Sequence, residues 1–177
     1  MSGGMESLAK FNIDDPTLEK PNAFGGIASQ IQVGTMASIT FERLAEEPEN
    51  KSVVFIHNHP GAIDTGNLSR GWAKGAVAGP ALAGYVVRPI IGLFGTSIKE
   101  AGERYLYIAT SGAFGGSGPM PAGVGEGLTT RGAKSGGLFL VSRKCVATDN
   151  SKNMAELRAA AREKVWELTE KTIRPYL

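Results

Sequence analysis

The sequence predicts an α/β protein built around part of a parallel sheet. Three observations predict it. Val53-Val54-Phe55-Ile56 is a short apolar run with the length and β-branched content of a buried strand, and it ends in polar residues and a Pro60-Gly61 turn. Leu138-Phe139-Leu140-Val141 is a second run of the same kind. Apolar residues recur at helical spacing before the first run, between the two and after the second, the alternation from which parallel sheets with helical crossovers are made. The 177 residues read as one domain, long enough to bury a core.

Taken in order, residues 1–27 are polar, carry Pro16 and Pro21, and read as loop. A helix is predicted over 28–47, with Val33, Ala37, Phe41 and Leu44 as its apolar stripe and Pro48 as its stop. Its end is acidic (Glu42, Glu46, Glu47), against the helix dipole, so packing has to hold it. Strand and Pro-Gly loop fill 52–66. The apolar stretch 75–95 carries Pro80, Arg88 and Pro89, and reads as a lid-like wall for a hydrophobic ligand rather than a firm membrane anchor. A helix over 97–112 starts on the Ser97/Glu100 capping box, repeats Ile98, Ala101, Tyr105 and Ile108, and closes at Gly112. A glycine-rich loop, 113–137, leads to the strand 138–142. The last helix, 152–173, has Met154, Leu157, Ala161, Val165 and Leu168 on one face. Two strands are few for a self-sufficient sheet, so this reads as half of a larger one.

Bulk composition narrows the partners. Lys and Arg total 19 against 17 Asp and Glu, with no basic block, so nucleic acid is not expected. One cysteine, Cys145, excludes an internal disulfide and fits a reducing compartment. No charged segment leads into an apolar run after Met1, so no signal peptide is expected and the location is read as cytoplasmic.

Two constellations invite chemistry. His57 and His59, two apart on a strand, share a face, and His57-Asn58-His59-Pro60 is similar to the core of JAMM-type zinc peptidases. The third ligand of that pattern is missing: Arg70, Gly71 and Trp72 follow Ser69, so no metal is expected. Ser111 to Gly118 carries a Gly-x-x-x-Gly-x-Gly spacing, but a helix precedes it and Pro119 and Pro121 follow, which denies a diphosphate the helix start it needs. Cys145 follows Arg143 and Lys144, and reads as a structural strand-end residue.

Together the pieces resemble the carboxyl-terminal half of a short-chain dehydrogenase/reductase, in particular the divergent fungal members of specialised metabolism. Met1-Ser2-Gly3-Gly4 resembles the end of the serine-bearing strand, and Thr40 to Ala45 lies in what resembles the catalytic helix. His59-Pro60-Gly61-Ala62-Ile63-Asp64-Thr65-Gly66 is similar to the Pro-Gly loop beside the nicotinamide. Gly102 to Leu106 and the Val165-Trp166 helix fit the fungal group. The resemblance implies a partial Rossmann-like fold and self-association through the 28–47 helix. It departs where redox chemistry needs it most. No Tyr-x-x-x-Lys exists, Phe24 and Ala28 or Gln30 and Gly34 standing in those places, and no dinucleotide fingerprint is present.

The expectation drawn from this is a cofactor-independent enzyme that shapes a hydrophobic intermediate by cyclisation, rearrangement or cycloaddition. Asn58, His59, Thr65 and Ser2 are its candidate catalytic residues, and Pro60, Gly61, Ile63, Phe24 and Gln30 its substrate-binding ones. The alternatives are an NAD(P)-dependent oxidoreductase, partial or completed by another chain, and a non-catalytic remnant or binding module.

Overall fold

The computed structural model describes residues 6–63 and 95–177. It is α/β, with two short parallel strands and, among the described residues, three α-helices: α1 (Gly26–Glu46), β1 (Phe55–Asn58), α2 (Ile98–Thr110), β2 (Leu138–Val141) and α3 (Ser151–Ile173). The apolar stretch predicted over 75–95 lies outside the described residues, apart from its last glycine. The chain divides into two compact units, one of residues up to His59 and from Thr110 onward, the other Pro60–Ala109.

The first unit holds the sheet. β1 and β2 pair in parallel with Phe55 opposite Leu138 and Asn58 opposite Val141. All four β2 side chains are buried, as a parallel strand covered on both faces requires. Leu138 and Leu140 join Phe11 from the amino-terminal segment, Ile39 of α1, and Met154, Leu157, Ala161 and Val165 of α3 in one core. Each of the larger side chains, fully buried, contributes about 1.5–3 kcal/mol, and the Ala161 methyl less. The α3 stripe lies where its spacing predicts.

Helix α1 departs from its predicted face. Val33 is 64% exposed, and the buried positions among those described are Gln32, Gly34, Thr35, Ser38, Ile39 and Glu42. Apolar spacing misplaces the face because three of the buried polar groups, Gln32, Ser38 and Glu42, find partners: Gln32 exchanges two hydrogen bonds with the Asn12 backbone, and Glu42 takes both Arg158 Nε (2.8 Å) and Nη2 (2.7 Å) of α3. The Thr130 hydroxyl donates to Glu42 as well, and Glu46 pairs with Arg131 and Arg162. The acidic end that opposes the dipole is therefore held by guanidinium groups across the α1–α3 seam. Glu47 is extended (ψ 136°) before Pro48, whose ring disfavours the helical conformation there, and α1 stops at Glu46.

In the second unit, Ser97 Oγ accepts from the Glu100 amide at 3.1 Å, one half of the predicted capping box. The Glu100 carboxylate turns instead to Arg104 at 2.5 Å. Ala101 and Ile108 are buried, while Ile98 and Tyr105, placed on the same stripe by spacing, are 71% and 46% exposed. Among the described residues no helix is long and apolar enough to cross a membrane.

Candidate functional site

At the carboxyl end of β1 the backbone alternates between its two edges. The amides of Phe55 and His59 donate to Gly137 O (3.3 Å) and Val141 O (2.8 Å), so those of Ile56 and Asn58 face the other edge, where no described strand pairs. The Asn58 side chain then clamps the two strand ends together: Nδ2 donates to Val141 O (3.0 Å) and Ser142 O (3.1 Å), which engages both amide protons and leaves Oδ1 as an acceptor. His59 is half-buried. Its Nδ1 is enclosed with no hydrogen-bond partner among the described residues, a condition that costs about 1–3 kcal/mol unless a ligand or water completes it.

Behind this edge lies a buried polar cluster. His57 Nδ1 is 2.6 Å from Ser38 Oγ, and Ser38 Oγ donates to Glu6 Oε1 at 2.7 Å. The serine has one proton and gives it to Glu6, so the imidazole carries its own on Nδ1 and donates it to the serine oxygen. Asn150 Nδ2 reaches Glu6 Oε2 (3.1 Å) and Asn153 Nδ2 reaches the Glu6 carbonyl (3.1 Å), which pins the amino-terminal segment to the start of α3. Burial, with a smaller like-charge contribution from His59, pushes the His57 imidazole down to about 4. It is neutral at physiological pH, and its 3.9 Å approach to Glu6 is a relay through Ser38 rather than an ion pair. The order of groups also separates it from a hydrolase triad, in which the histidine stands between serine and carboxylate.

Of the other predicted site residues, Pro60 is buried and Gly61 and Ile63 half-buried at the start of the second unit. Gly61 has φ +82°, a left-handed backbone that suits glycine there, and the Ala62 carbonyl accepts from the Thr96 amide at 2.9 Å. Phe24 is 75% exposed just before α1, and Gln30 is exposed on its second turn. Ser2 and Thr65 lie outside the described residues. No cluster of three metal-ligating side chains occurs among the described residues. The Gly112–Gly118 loop packs on itself: the Gly112 amide donates to Pro119 O, and a Cβ on Gly118 would meet Thr110 O at 1.7 Å. Glu6, Ser38 and Asn150 escaped sequence reasoning. Thr35, Ser38 and Glu42 do recur at helical spacing, but a polar stripe reads as a solvent face.

The chain is similar to fungal oxidoreductases. It is 32% identical over 174 residues to an NmrA-like family domain-containing oxidoreductase of Aspergillus, covering 96% of this chain and 46% of that protein. It is 27% identical over 177 residues to an oxidoreductase of Emericella nidulans, covering 95% of this chain and 50% of the relative. The chain thus spans about half the length of the curated relatives it matches. No family profile and no solved structure matches it.

Proposed function

We propose that this chain forms the substrate side of an NAD(P)-dependent oxidoreductase of fungal specialised metabolism, related to the short-chain dehydrogenases, with the carboxyl edge of β1 beside the nicotinamide. The observation that carries the proposal is the β1 end itself. Open α/β sheets bind their ligands at the carboxyl ends of strands, and here that end holds an enclosed His59 Nδ1 with no partner among the described residues, beside the Asn58 clamp. Similarity to oxidoreductases along nearly the whole chain supports the same reading. The second edge of β1, where no described strand pairs, would take more of the sheet, and with it a dinucleotide-binding half.

The residues present fit one end of such a cofactor. His59 Nδ1 would meet the nicotinamide carboxamide; Pro60, Gly61, Ile63, Thr65 and Ser2 are proposed for the same ligand from the sequence. When bound, the cofactor supplies or accepts a hydride. Its diphosphate finds no seat in the Gly112–Gly118 loop, whose packing is taken up internally. Asn58, both amide protons engaged, acts by holding the two strand ends in place. Phe24 and Gln30, both exposed, would meet only the outer part of a hydrophobic substrate.

A second reading, cofactor-independent shaping of a hydrophobic intermediate, draws on the missing Tyr-x-x-x-Lys. Neither Phe24 with Ala28 nor Gln30 with Gly34 can relay a proton. Titration with NADPH separates the two. The oxidoreductase reading expects a saturable rise and blue shift of reduced-nicotinamide fluorescence, weakened in His59→Ala. Unchanged fluorescence, with faster turnover of a pathway intermediate in cofactor-free buffer, would favour the second.

A further inference from the structure

A cavity of the first unit has none of the β1 residues in its lining. It measures about 610 Å³, inside the range of small-molecule sites, and is walled by the Gly123–Thr129 stretch, Phe114 and the segment Cys145–Asp149. That segment folds back along β2, with an isolated antiparallel bridge between Val141 and Ala147 and a hydrogen bond from Thr148 N to Leu140 O at 2.8 Å. Gly127 lets the two walls meet: a Cβ there would stand 2.8 Å from Ala147 Cβ.

The lining has a definite chemistry. Val124, Leu128 and Val146 are 37%, 50% and 58% exposed, apolar surface in a concave setting. The charged residues lining it, among those described, are Glu126 and Asp149, with no Lys, Arg or His. Lys134 answers Glu126 at 2.6 Å. Asp149 has no cationic partner among the described residues. Its Oδ1 accepts from the Ser151 hydroxyl (2.8 Å) and amide (3.3 Å), which hold the carboxyl of this exposed residue below its ordinary range. Phosphate or carboxylate ligands would meet two carboxylates here, so this is not a seat for a dinucleotide.

We infer that this cavity is a second ligand site, for a small apolar molecule bearing a protonated amine, with the ammonium on Asp149 and the apolar body against Val124, Leu128 and Val146. A matched series tests it on the full chain: 4-phenylbutylamine, 4-phenylbutanol and 4-phenylbutyrate, each titrated into labelled protein and followed by amide chemical shifts. The amine should give saturable shifts confined to Gly123–Thr129 and Cys145–Ser151, bind about two- to fivefold tighter than the alcohol, and leave the anion weakest. D149N should bring the amine down to the alcohol's affinity without changing the alcohol's own. V146W, at an exposed position of the lining, should fill the cavity and abolish all three. Equal affinities across the series, shifts elsewhere in the protein, or no saturable shift with the amine would each overturn the inference. The NADPH titration above has no bearing on this site, so either reading can fail alone.

Discussion

Acidification should weaken this protein through one buried imidazole. His57 is lowered from 6.5 to about 4 in the folded chain. The folded state therefore binds fewer protons than the unfolded one between those values, and stability falls as pH falls through that window. Its contribution is complete only well above 6.5, and the loss runs through the window and levels off below about 4. From those two values, linkage gives a loss of about 2 kcal/mol between about pH 7.5 and pH 5. Other groups titrate over the same range, so the quantity to read is a difference. Urea unfolding of the full chain at both pH values, compared with H57Q, removes what the two proteins share. Glutamine can still donate to Ser38 but does not titrate. Wild type should lose about 2 kcal/mol more than the variant. Parallel losses would refute the neutral, buried imidazole and with it the Glu6–Ser38–His57 relay.

Further outcomes follow from the same contacts. Glu42→Gln leaves Arg158 without its carboxylate at the α1–α3 seam and should cost about 3 kcal/mol in urea unfolding, near the lower limit for a buried pair because Arg158 keeps some solvent. Leu157→Ala, at a fully buried position, should cost about 3 kcal/mol and show in thermal unfolding as a cavity loss. Asn58→Ala strips the donors from Val141 O and Ser142 O, and should cost about 1–2 kcal/mol while hydrogen exchange at the His59 amide quickens. Unaltered exchange at His59 would show that the clamp does not hold the strand ends.

The second strand, the α3 stripe and the Ser97 cap could be read from local pattern, because apolar runs and 3.6-residue spacing act within a few residues; the first run was legible only in part, since its Val53 and Val54 precede β1 and are exposed. The face of α1 could not. Gln32, Ser38 and Glu42 are buried only because Asn12, Glu6 and Arg158 meet them from distant parts of the chain, and no local pattern encodes those meetings. The strand end was legible as a polar edge on Pro60-Gly61, but not the engagement of both Asn58 amide protons. That depends on the parallel register that sets Asn58 opposite Val141. The cavity beside Cys145–Asp149 left no signal either, since it arises where a glycine stretch touches a fold-back segment.

Nicotinamide mononucleotide probes what binds at the end of β1 without needing a diphosphate site built elsewhere. Titrated into labelled full chain, it should shift the amides from Asn58 to Ile63 saturably in the millimolar range, with the shifts lost in His59→Ala. Shifts spread at random, or none along that stretch, would contradict a nicotinamide-side role for this edge.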